Sequence, residues 1–89
     1  MFWTAYSVPL STATGRDEKF MRFCFPEGSR FAGDITRVPI RLIRERNDDS
    51  NTITIAIRPG FDLTVYDPIA ERYMTIDGET LIRELNGIS

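Results

Sequence analysis

The clearest periodicity in the chain lies between residues 37 and 58. Over 37–46 the even positions Val38, Ile40 and Leu42 are apolar, and over 52–58 the odd positions Ile53, Ile55 and Ile57 are. Period-two alternation of β-branched residues is the signature of strands buried on one face. Asn47-Asp48-Asp49-Ser50-Asn51, between them, is dense in turn formers. The segment therefore predicts a β-hairpin. Pairing Val38 with Ile57, Ile40 with Ile55 and Leu42 with Ile53 puts all six aliphatic side chains on one face. It also places Arg44 against Asn51 and Arg37 against Arg58. Pro39 has no N–H for a ladder, which predicts an edge strand or a bulge there.

The remaining pattern is also mostly strand. Phe2, Thr4, Tyr6 and Val8 alternate with Trp3, Ala5 and Ser7, and 11–17 reads as a loop. Residues 19–25 carry apolar side chains on both faces, which predicts a central strand covered twice or a strand at an interface. Pro26-Glu27-Gly28-Ser29 is a turn, and 30–36 has no clear period. Phe61, Leu63 and Val65 resume the alternation. Asp67-Pro68-Ile69-Ala70 is a turn signal, and 71–76 forms the returning strand. Asp77 reads as an N-cap with Thr80 three residues on, Leu81, Ile82 and Leu85 share a helical face, and Gly87 is a stop. The expected fold is α+β and β-rich: an antiparallel curved sheet or small open barrel of about six short strands with one short C-terminal helix over 79–86. An SH3-like or OB-like barrel with an added strand is compatible with that count.

Composition narrows the chemistry. At 89 residues the chain is expected to form one domain, 1–89. It has no histidine and one cysteine, Cys24. This excludes a Ser-His-Asp triad, a Cys-His pair, a His-bearing zinc site and an intrachain disulfide. The isolated glycines form no phosphate loop, and the 47–51 spacing does not fit an EF-hand. No catalytic residue, metal site or cofactor is expected. Cys24, in an apolar strand, reads as a small core hydrophobe. No segment approaches the roughly 18 apolar residues of a membrane span. The N-terminal stretch lacks a signal peptide's positive charges, so the expected location is cytoplasmic.

Charge is asymmetric. The net charge is −2, but residues 1–46 carry +3 and 47–89 carry −5. All cations but Lys19 are arginines, which make bidentate contacts to carboxylates and phosphates and are enriched at interfaces. Arg41, Arg44 and Arg46 on the hairpin are the candidate anion contacts, and Trp3 and Tyr73 the candidate apolar anchors. The plain alternative is a solvated edge whose charges discourage aggregation. An apolar N-terminal strand left at a sheet edge could also pair with its copy in a homodimer.

In its size and its lack of catalytic residues the chain resembles the accessory proteins of phages and mobile elements, including inhibitors of host defence of the anti-CRISPR type. That resemblance rests on no motif. It implies a non-enzymatic protein-binding module that occludes its partner sterically or electrostatically, the partner being another protein with an acidic or nucleic-acid-binding surface. The alternative is a nucleic-acid-binding small barrel that uses the arginine-bearing hairpin. Interleaved aromatics and cations over 19–25 have some of the texture of single-strand binders. The acidic net charge opposes that reading, because phosphate neutralisation supplies most of such affinity.

Overall fold

The two alternating segments do pair. In the computed structural model, which describes residues 3–47 and 50–87, Asp34–Arg44 (β4) runs antiparallel to Thr52–Ile57 (β5). Val38, Ile40, Ile53, Ile55 and Ile57 are buried on one face, with Leu42 partly buried beside them. Phe2, Asp48 and Asp49, assigned above to a strand and to the hairpin tip, lie outside the described residues.

The register differs from the expected one by two residues. Ile40 pairs with Ile57 and Leu42 with Ile55, then a bulge at Ile43 brings Arg44 opposite Thr54. Hydrophobic alternation cannot tell even shifts apart, since both put the same side chains inward. The polar tip decides. Asn47 N–H donates to the Thr52 carbonyl at 2.9 Å, its Nδ2 donates to Thr52 Oγ1 at 2.6 Å, and its Oδ1 accepts from Thr54 Oγ1 at 3.1 Å. This anchors Asn47 beside Thr52, and the bulge takes up the slack.

Among the described residues Thr4–Pro9 (β1), Ala13–Arg16 (β2) and Phe20–Cys24 (β3) join the hairpin in a five-stranded antiparallel sheet, in the order β1-β5-β4-β3-β2. Asp62–Asp67 (β6) and Arg72–Asp77 (β7) form a separate two-stranded sheet, followed by helix α1, Gly78–Leu85. The class is as expected, β-rich and antiparallel with one short C-terminal helix, and the sheet does not close. The described residues hold seven strands against the expected six or so, because 13–16 is an edge strand and not a loop. Its residues after Ala13 are exposed and polar, so no hydrophobic period marks it. The β2–β3 turn is tied by Asp17, whose Oδ1 accepts from the N–H groups of Lys19 and Phe20, each at 2.9 Å.

Strand β3 is covered on one face only. Met21 and Phe23 are buried, whereas Phe20 and Cys24 are half-buried on the other face and Arg22 is exposed. Pro39 lies neither at an edge nor at a bulge. It sits in central β4, opposite Phe20, and the β3–β4 bulge falls at Thr36-Arg37. Ile40 N–H donates toward β3, to the Lys19 carbonyl. The Pro39 nitrogen therefore faces the β5 side, just beyond the end of β5, where no ladder bond is lost.

One face of the large sheet holds the core. Helix α1 begins on an Asp77 cap, whose Oδ1 accepts from Thr80 N–H at 2.8 Å, and stops before Gly87 at φ +75°. Leu81, Ile82 and Leu85 enter the same cluster as Val8, Phe23 and Ile55. Two buried carboxylates pin the 26–33 loop between helix and small sheet. Glu84 accepts from Ser29 Oγ at 2.8 Å. Asp67, 2% exposed, accepts from Arg30 Nε at 3.1 Å and from the N–H groups of Ile69 and Ala70.

Eight residues are marginal as an isolated helix, so docking must hold α1 in place. Leu81→Ala should lower unfolding free energy by about 2–5 kcal/mol in urea denaturation; a loss under about 0.5 kcal/mol would mean the helix is not docked. The Ala70 N–H, then the Arg30 guanidinium and the Ile69 N–H, donate to the Asp67 carboxyl and hold it below its ordinary value of 3.8. The native state then binds fewer protons than the unfolded chain. The Asp67 contribution is complete above the unfolded value and disappears as pH falls through the depressed native value. The stability advantage of the wild type over Asp67→Asn should therefore be full at about pH 7 and shrink below about pH 4. Equal advantages at both pH values would refute the assignment.

Candidate functional site

Among the described residues no helix covers the face of the sheet turned away from the core. Antiparallel alternation sends Pro39 and Arg41 of β4 to this face, along with Phe20, Arg22 and Cys24 of β3, Thr54 and Ala56 of β5, and Ala5 and Ser7 of β1. Arg22, Arg37, Arg41 and Arg44 are all exposed. Among the described residues none of the four is in an ion pair; the two ion pairs are Arg16–Glu45 and Arg30–Asp67.

Arg41 and Trp3 come together. The guanidinium carbon of Arg41 stands 4.4 Å from the centre of the Trp3 ring. The two residues flank β5, Arg41 directly opposite Ala56 and Trp3 just before β1. Their contact must therefore pass over β5, and a one-carbon side chain at Ala56 leaves room for the arch. Ala56 is 2% exposed although it is on the outer face. A second pair joins β4 to its other neighbour, β3, with Arg37 over the Phe20 ring at 4.6 Å. Arg37 adopts φ +61° in the β3–β4 bulge. A non-glycine residue in that region costs about 1 kcal/mol or more.

The other expected contacts are dispersed. Arg44 is exposed beside the Ile43 bulge, and Ile43 itself is 59% exposed. Arg46 is turned to the hairpin tip, where its Nη2 donates to Asn51 Oδ1 at 3.1 Å. Arg37 does not face Arg58, which lies past the end of β5. Tyr73 is on β7, away from the arginine face. It is 71% exposed and packs edge-on against Tyr66, with ring centres 5.1 Å apart. The site thus unites Trp3, Arg41 and Arg44 with Phe20, Arg22 and Arg37, and leaves out Arg46 and Tyr73. The signal for Arg22 was the alternation of Phe20, Arg22 and Cys24 against Met21 and Phe23.

Cys24 is paired across the strands with Asp34, and that carboxylate pushes the thiol above its ordinary value of 9.0. The group is held as a thiol rather than a thiolate, the weaker nucleophile. Among the described residues no group of three or more Cys, Asp or Glu side chains is arranged to hold a metal ion, and no helix is long and apolar enough to cross a membrane. Compared with family models, curated proteins and solved structures, the chain matches none.

The Trp3–Arg41 arch has a direct optical signature, since Trp3 is the single tryptophan. Arg41→Gln should raise the acrylamide quenching of Trp3 emission and cost about 0.5–1 kcal/mol in stability, the range for an exposed cation–π pair. Unchanged quenching would show that the guanidinium does not cover the ring.

Proposed function

We propose that this chain is a small non-enzymatic binding protein whose outer sheet face engages an acidic surface of another protein and occludes it. The observation that carries this reading is a set of four exposed arginines on one sheet face, none of them in an ion pair among the described residues, though the charge of Arg37 is felt by Asp17. None of the four is opposite another arginine in the strand register, but gathered on one face they raise its positive potential, which an anionic partner would neutralise. Two of the guanidinium groups are already oriented by aromatic rings, which lowers the ordering entropy lost on contact. Occlusion by a small accessory protein, as in phage inhibitors of host defence, fits this equipment.

Single-stranded nucleic acid is less well matched. Base stacking needs free aromatic faces, and both outer-face rings, Trp3 and Phe20, are half-buried with an arginine over them. The overall charge of −2 also repels phosphate.

The two readings separate in one titration. A fluorescein-labelled peptide of alternating Glu and Tyr and a labelled oligothymidylate are each followed by anisotropy at about 50 and about 200 mM salt. The expected result is saturable binding of the acidic peptide, weakened at least tenfold by the double variant Arg22→Glu/Arg44→Glu. Tighter, steeply salt-dependent binding of the oligothymidylate would replace this function with the nucleic-acid one. Binding of neither at low salt would leave the face a solvated surface.

A further inference from the structure

The sheet has an opening with backbone on both sides. β4 is eleven residues long, but β5 pairs only with its second half, from Ile40 onward. The first half, 34–39, pairs with β3 on one side and with no strand on the other. Facing that free side is β6, which pairs with β7 along its far edge. The two free edges touch only at one end, where Ala32 N–H donates to the Tyr66 carbonyl at 3.4 Å in an antiparallel bridge. Beyond it they splay apart, and no backbone hydrogen bond crosses between 33–39 and 61–65.

A groove of about 500 Å³ occupies the gap. Phe25, Ile35, Leu63 and Val65 supply its apolar lining, and Arg37, Tyr66 and Tyr73 line it as well. The Tyr66 carbonyl points into the groove, so by strand alternation the N–H and C=O groups of Asp62 and Thr64 do as well. Those of Leu63 and Val65 are turned to β7. Asp34 and Asp62, both exposed and outside the ion pairs of the described residues, stand along the same opening.

We propose that this groove receives an extended segment of a partner protein, which adds as a strand along β6 with an apolar side chain against the apolar lining and a basic residue beside Asp34 and Asp62. Main-chain pairing supplies affinity in such strand addition, and alternate side chains supply selectivity. An unpaired strand edge is the one surface whose chemistry specifies an extended backbone as its complement. Two edges splayed from a common bridge admit that backbone from one end. The proposal does not depend on the arginine face, which takes an acidic partner and uses side chains rather than main chain.

The test is selection of linear peptides from a display library on the full chain, followed by synthesis of those recovered. Thr64→Pro is the diagnostic variant. It removes a donor that faces the groove and is not used in the β6–β7 ladder, so the hairpin survives. Expected are amide shifts at Asp62 and Thr64 in ¹⁵N spectra, and at least tenfold weaker binding to Thr64→Pro. Backbone N-methylation of the peptide at alternate residues should weaken binding to the unaltered chain equally, which keeps the test decisive if the variant misfolds. Recovery of no peptide, shifts elsewhere, or indifference to N-methylation would each overturn the proposal. None of these outcomes bears on binding of the Glu-Tyr peptide to the arginine face.

Discussion

The structure depends on a hand-over in the middle of one strand. β4 gives its first half to β3 and its second half to β5, and the change occurs at Pro39 and Ile40. Pro39 cannot donate toward β5, and β5 ends there, giving way to Arg58-Pro59-Gly60. Had β5 continued alongside 34–39, the sheet would have had no free inner edge. Because it stops, the chain turns away into β6, and the barrel that strand count and curvature would otherwise allow is left open. The core is not exposed as a result. α1 and the β6–β7 hairpin come over the core face, and Leu81, Leu85 and Val65 fill it.

The same strand arranges the outer face. A strand presents alternate residues to opposite sides, so aliphatic side chains at Val38, Ile40 and Leu42 oblige Pro39 and Arg41 to look outward. The two bulges then modify this rule locally. At Thr36-Arg37 the extra residue carries a guanidinium to the ring of Phe20 on β3, and at Ile43 it brings Arg44 opposite Thr54. Bulges re-aim side chains and increase local twist. Here each bulge lies next to an arginine of the outer face. Ala56 completes the arrangement from the neighbouring strand, since any larger side chain would stand where Arg41 crosses to Trp3.

Much of this was legible in the residues. Alternation at 38–42 and 53–57 gave the hairpin and its buried face, and Asp77, Thr80 and Gly87 gave the helix with both ends. The turn at Asp67-Pro68 was legible because Asp67 accepts from its own following amides. The register was not, since even shifts are degenerate in a period of two and Asn47 decides among them through contacts at the tip. β2 was hidden because an edge strand exposed to water carries no hydrophobic period. For the site, the outward direction of Arg41 followed from the pattern. Its partner Trp3 did not, because the contact joins strands that are not adjacent in sequence. Tyr73 shares only its residue type with Trp3: it lies on β7 of the small sheet, whereas Trp3 precedes β1 of the large one.

The molecule consequently carries two surfaces of opposite chemical logic. The outer face offers side chains with fixed positive charge, whose reach and strength fall with salt. The groove offers main-chain donors and acceptors, with Asp34 and Asp62 beside them. Arg37 borders both, lying over Phe20 on one side and lining the groove on the other. Its left-handed conformation is thus held at the seam between them. A strand that entered the groove would pair beside this residue.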